Sequence, residues 1–180
     1  TEYLTTRRSE EESRKVTHIA FTIAGVGLLI LTIFGILFSP ILIQIIAPGW
    51  FTKFPEKFHL TVTLNQIMFP YLFFMGLFAL SMGILNSLRH FFAPAFAPIF
   101  LNISIILSVL FFYSLFKKPV MSLAIGVLAG GVIQFLFQIP FLLKKGVSFR
   151  FNFNYQHPAI KRIGSLMVPG LIGTAVYQLN

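Results

Sequence analysis

The sequence contains no cysteine and no aspartate, and its five acidic residues are all glutamates: Glu2, Glu10, Glu11, Glu12 and Glu56. Without cysteine there is neither a disulfide framework nor a thiolate metal site. Few acids means no cluster of carboxylates to hold magnesium for pyrophosphate chemistry. Glu56 stands alone, and the 10–12 run reads as a solvated helix face. The four histidines, His18, His59, His90 and His157, are far apart and lack metal-ligand spacing. No GxSxG elbow occurs, and Gly25-x-Gly27 lacks the third glycine of a dinucleotide loop. No catalytic residue, metal or cofactor is predicted. Charged residues are only 11% of the chain, against about a quarter in soluble domains, which turns attention to what fills the rest.

Hydrophobic residues make up 56% of the 180 residues, and 23 of them are phenylalanine. They gather into long apolar stretches with almost no charge. A bilayer core about 30 Å thick needs roughly 20 apolar helical residues to cross it. The predicted architecture is all-α, a polytopic transmembrane helical bundle. It has a cytoplasmic lead-in at 1–17, spans at 18–48, 59–88, 91–116 and 119–143, a cytoplasmic loop at 144–160, and the start of a further span at 161–180. A chain that opens at Thr1 and ends inside an apolar pattern is expected to be an internal piece of a longer polypeptide.

The net charge of +9 does not mark a nucleic-acid binder, because the cations are scattered over loops and form no stripe or recognition motif. They alternate by loop instead. Arg7, Arg8, Arg14, Lys15, Arg89, Lys144, Lys145, Arg150, Lys161 and Arg162 fall on one side; Lys53, Lys57, Lys117 and Lys118 fall on the other. Ten against four puts the first set in the cytoplasm by the positive-inside rule. Trp50 and Phe51 are then expected as anchors at the outer interface. Ser9 followed by Glu12 has the spacing of a capping box, so the lead-in is read either as a helix start or as a solvated linker.

Backbone polar groups in lipid must be satisfied internally, so interruptions of the spans carry information. Pro40 is expected to kink the first span, with Ser39 helping to satisfy the freed carbonyls. Pro70, Pro169 and Gly170 are candidate hinges, set against the general abundance of proline and glycine in membrane helices. Gly126 and Gly130, extended by Gly131, form a GxxxG packing face, and Ala79 with Gly83 a weaker one. The intramembrane amides each need partners. Asn65, Gln66, Asn86, Asn102, Gln134, Gln138, Gln178 and Asn180 read either as interhelical hydrogen-bonding groups or as the lining of a wet cavity for a polar substrate, with Asn102, Gln134, Gln138, Gln178 and Asn180 the cavity candidates. Gln134 and Gln138 lie one turn apart on a shared helix face. No charged residue lies in the middle of a span, so a proton or sodium relay, if one exists, lies outside this segment.

The motifs combine into a resemblance. Ala47-Pro48-Gly49-Trp50, Phe69-Pro70-Tyr71, Ile84-Leu85-Asn86, the run Phe92-Ala93-Pro94-Ala95-Phe96-Ala97-Pro98, Leu101-Asn102-Ile103, Gly130-Gly131-Val132-x-Gln134, Gln138-x-Pro140 and Tyr177-Gln178-x-Asn180 follow in order along the chain. In that order and spacing the sequence resembles the MurJ (MviN) lipid II flippases of the MOP superfamily. The resemblance implies a MATE-like transporter lobe, with this chain covering helices three to six and the beginning of seven. It implies a multi-pass protein of the bacterial inner membrane that flips a lipid-linked peptidoglycan precursor by alternating access. Its partners would be that precursor, membrane lipids and the remaining helices of the same polypeptide, with no nucleic acid. The family's arginine-rich cavity belongs to helices outside this chain, so no substrate-binding arginine carries over. Other readings from the residues are a drug antiporter or polysaccharide-unit flippase of the same superfamily, a membrane enzyme of polyprenyl-phosphate metabolism, and a scaffold for cell-wall enzymes.

Overall fold

A computed structural model describes the backbone of residues 2–147 apart from 117, and the side chains of residue 12 and of 14–147, again without 117. The described residues are helical, with no strand among them. They form α1 (Glu2–Leu37), α2 (Ser39–Ile46), α3 (Trp50–Lys53), α4 (Pro55–Ser87), α5 (Phe92–Phe112) and α6 (Val120–Lys144). Four segments are long and apolar enough to cross a bilayer: Arg14–Leu37, Pro55–Ser87, Phe92–Phe112 and Val120–Lys144. At 1.5 Å per residue, the 21 residues of α5 span about 32 Å, close to one hydrocarbon thickness. The 33 residues of α4 span about 50 Å, so this helix leaves the core or tilts within it.

By its contacts the chain divides into two units, Thr1–Ile23 with Val147–Asn180, and Ala24–Gly146. In the first, Ile19 and Thr22 are buried, and the Thr22 hydroxyl donates to the His18 carbonyl one turn back, 2.8 Å away.

The second unit holds the rest, and its firmest contact is the antiparallel pair α5–α6. A Cβ on Gly126 would lie 2.8 Å from Ser108 Cβ and 2.9 Å from the Ile105 Cα; one on Gly130 would lie 3.0 Å from the Leu101 Cα. Only the missing side chains let the two backbones meet. At that range the α5 serines reach across: Ser104 Oγ donates to the Gly126 carbonyl at 2.9 Å and Ser108 Oγ to the Ser122 carbonyl at 2.6 Å. Lipid tails are as apolar as leucine, so close packing and such bonds hold membrane helices together where hydrophobic burial does not. Towards the other end of the pair the contact becomes aromatic. Phe96 and Phe100 face Phe137, with Phe100–Phe137 centroids 4.6 Å apart, and Phe92 faces Phe141.

The GxxxG signal therefore marks the α5 face of α6, while Gly131, the next residue, faces α4. A Cβ there would lie 2.6 Å from the Tyr71 ring. The Ala79 and Gly83 pair differs from expectation: both are exposed, and a Cβ on Gly83 would meet nothing within 4 Å. Where α1 packs on α4, the Phe69 ring sits over Gly35 and Leu28 over Gly76. The outward surfaces are lined by large apolar side chains such as Leu110, Phe111 and Ile46, as a lipid-facing bundle requires.

The α4–α5 turn closes with a Schellman motif. His90 N–H bonds the Leu85 carbonyl at 2.8 Å and Arg89 N–H the Asn86 carbonyl at 3.0 Å, with Arg89 at φ 56 where glycine is usual. After α6 the corresponding position is Gly146, at φ 77.

Gly126→Leu would drive a side chain into backbone that cannot yield, at a cost of about 1–3 kcal/mol. This segment has no native cysteine, so once any cysteines elsewhere in the full-length protein are replaced, a Ser108→Cys/Ser122→Cys pair reports the contact. It is expected to cross-link in the full-length protein and to lose that cross-link when Gly126→Leu is added.

Candidate functional site: polar groups inside the bundle

Two sets of polar side chains lie within the apolar bundle. The first sits where the first span breaks. An uninterrupted helix would pair the Ile36 carbonyl with the N–H of residue 40, but residue 40 is proline and has none. The chain steps at Phe38, ending α1 and starting α2 with Pro40 in the first turn. The orphaned carbonyl is met from α4: Gln66 Nε2 donates to Ile36 O at 3.3 Å. One residue earlier on α4, Asn65 Nδ2 donates to Ser39 Oγ at 2.8 Å. The fully buried Ser39 in turn donates to the Val62 carbonyl at 3.4 Å. The expectation that Ser39 would satisfy the freed carbonyls is thus corrected. Gln66 does so for Ile36, and Ser39 ties the break to α4. Ile43, Phe58 and Val62 pack beside this node as a small apolar core. Beyond it, Trp50, Phe51 and Phe54 stand exposed around the short α3.

The second set lies on α6. Gln134 is 2% exposed and Gln138 is 0% exposed. Gln134 Oε1 and both amide atoms of Gln138 are enclosed without a hydrogen-bond partner. The hydroxyl of buried Thr32 on α1 is also enclosed and unpartnered, a group the sequence reading did not single out. Leaving a buried amide unbonded costs about 1–3 kcal/mol per group.

The other sequence candidates fall elsewhere. Asn102 is on the exposed surface of α5, while its neighbours Ser104 and Ser108 turn towards α6. Pro70 lies inside a continuous α4, between Phe69 on Gly35 and Tyr71 on Gly131. Pro169, Gly170, Gln178 and Asn180 lie outside the described residues. Among the described residues no three ligating side chains gather into a metal site. His90 instead places its ring against Phe141, with centroids 5.1 Å apart.

Apolar spans, glycine–serine seams and enclosed amides define a multi-pass helical membrane protein. Over residues 2–180 the chain matches the family model described as lipid II flippase MurJ, and it belongs to that family. It is 40% identical over 162 residues to a probable lipid II flippase MurJ of Vibrio cholerae, covering 87% of this chain and 31% of that protein. It is 40% identical over 176 residues to the corresponding Buchnera aphidicola (subsp. Acyrthosiphon pisum) protein, covering 96% and 34%. With the lipid II flippase MurJ of Burkholderia cenocepacia it shares 33% over 178 residues, covering 97% and 34%. The chain spans about a third of the length of the curated relatives it matches. Family and spans together make it a segment of a multi-pass protein of the bacterial inner membrane.

The role assigned to Gln66 can be checked by a double-mutant cycle. Gln66→Leu should lower stability by about 1 kcal/mol, because it leaves the part-buried Ile36 carbonyl unbonded. Pro40→Ala restores a backbone N–H for Ile36, so the same Gln66→Leu change should cost clearly less on that background. Thermal unfolding of the full-length protein measures both.

Proposed function

We propose that the protein carrying this chain is a lipid II flippase. It moves the undecaprenyl-pyrophosphate-linked peptidoglycan precursor across the cytoplasmic membrane by alternating access, for cell-wall synthesis. The observation that carries this reading is the family match, which runs along residues 2–180 and includes relatives named lipid II flippase. The physical task is consistent with a large helical cavity protein. A sugar–peptide–pyrophosphate head cannot enter hydrocarbon unaided, because unpaired charge in a low dielectric is very costly. A protein cavity replaces its hydration while the prenyl tail stays in lipid.

In this reading the chain supplies part of one lobe. The lead-in, the Arg89 turn and the loop after Lys145 face the cytoplasm; the turn around Trp50 and the one around Lys118 face outward. Pro70, Pro169 and Gly170 are the hinge candidates. Gln178, Asn180 and Asn102 are the candidates for the cavity wall. An exposed amide in mid-span favours protein or water over lipid, which supports placing the Asn102 face of α5 against the cavity or another helix. Gln134 and Gln138, enclosed here, would join the cavity when α4 and α6 part.

The full-length protein is expected to restore growth when a host's own lipid II flippase is depleted, and to expose labelled lipid II on the far leaflet of vesicles. Folded protein that moves no lipid II in both tests would overturn the reading. The 180-residue segment alone should move none, since it leaves a wall of the cavity open. For topology, Trp50→Cys and Lys145→Cys should react with a membrane-impermeant thiol reagent from opposite faces. Reaction of both from one face would overturn the assignment.

A further inference from the structure

We propose that Gln134 and Gln138 of α6 hold an internal water molecule in the interior of the lobe, as a built hydration site within the membrane-spanning region. Four residues along a helix rise about 6 Å, and residues at this spacing share a face. One water making two hydrogen bonds of about 2.8 Å at the tetrahedral angle bridges atoms about 4.5 Å apart, a separation that two long side chains on one face can adopt. The exposed fractions of 2% and 0% mean that the side chains are enclosed, so bulk water does not serve them. The three unpartnered atoms are chemically complementary to water: Gln138 Nε2 has protons to give, and Gln134 Oε1 and Gln138 Oε1 accept. A water that accepts from Gln138 Nε2 and donates to Gln134 Oε1 serves one orphaned atom on each side chain. Its second proton is then free for Gln138 Oε1 or a third group.

A third group is at the right level. Gly131 lies against Tyr71, and Phe74 Cβ is 3.7 Å from the position of a Cβ there. The helices α4 and α6 run in the same direction, because the His90 turn that follows α4 meets Phe141 near the end of α6. Seven residues further along both helices, Gln138 comes level with Phe78 and Ser81. The Ser81 hydroxyl is fully buried and spends its proton on the Leu77 carbonyl at 2.8 Å, so its lone pairs remain to accept. Two to four polar partners are what a buried water requires. The enclosed amides continue the row of Gly126 and Gly130 along α6, beyond the stretch that is closed by glycine–serine contact with α5. The inference does not depend on the transported substrate.

The test uses the full-length protein in lipid bilayers, with glutamine side chains labelled with nitrogen-15. Water-edited solid-state NMR should show magnetisation passing from water protons to the side-chain amides of Gln134 and Gln138. The signals are assigned by their loss in Gln134→Met and Gln138→Met. Each single substitution leaves one amide with a poorly held water and should lower the unfolding midpoint by a few degrees. The double substitution removes both groups that need the water, and should lower the midpoint by less than the sum of the two singles. No transfer from water to either amide, as a direct amide–amide bond would give, overturns the proposal. So does an additive double variant. Neither readout involves transport, so a failed flippase assay leaves this result unaffected, and the reverse also holds.

Discussion

A polar group inside a bilayer has no solvent to fall back on, and this constraint organises every contact described above. In water, helices associate because their apolar faces leave solvent. Between lipid tails that gain vanishes, and what remains is close fit and the mutual satisfaction of polar atoms. The α5–α6 seam shows the fit: glycines 126 and 130 bring backbone to backbone, and the distance so set is what allows Ser104 and Ser108 to reach carbonyls on the other helix. The Pro40 node shows the satisfaction. A proline removes one N–H from the first span, and a glutamine thirty positions from the orphaned carbonyl supplies the replacement.

These two devices give the second unit a stiff part and a jointed part. The α5–α6 pair is fixed by contacts in which a backbone would have to move before anything else could. The α1–α2 break is held by side-chain bonds, two of them 3.3–3.4 Å long. In the flippase reading proposed above, alternation between two arrangements would use both kinds of element: bodies that move as units and joints where backbone hydrogen bonds are already interrupted. Helix α4 touches every other packed element of this unit, with α1 and α2 on one flank and α6 on another. A displacement of α4 would be felt at the polar node and at the enclosed amides alike.

The class of fold was legible in the sequence because the signal is one-dimensional: a run of about twenty apolar residues needs no knowledge of its neighbours to be read as a span. The GxxxG of α6 was legible for a similar reason, since local spacing suffices to predict a face on which backbones approach. The candidate site was legible only as a set of polar residues. Gln134 and Gln138 stood out by their spacing, but whether they are open to a cavity or enclosed depends on what surrounds them. Asn102 and Ser104 looked alike in sequence, and a two-residue difference on a helix sends one outward and the other onto a carbonyl. The step before Pro40 was foreseen, whereas the identity of the group that repairs it was not, because Gln66 and Ile36 meet only through packing of α4 on the first span.

What the sequence determined by itself is the membrane as solvent, the number of apolar spans in the described residues and the places where the helical ladder must fail. Each of these follows from composition or from one residue's covalent chemistry, such as the missing N–H of a proline. Only the tertiary structure decided which polar groups meet. A hydrogen bond needs its partners within about 3 Å, and residues far apart in sequence reach that range only after helix faces have been chosen, a choice made jointly by glycines, aromatic rings and serines on different spans.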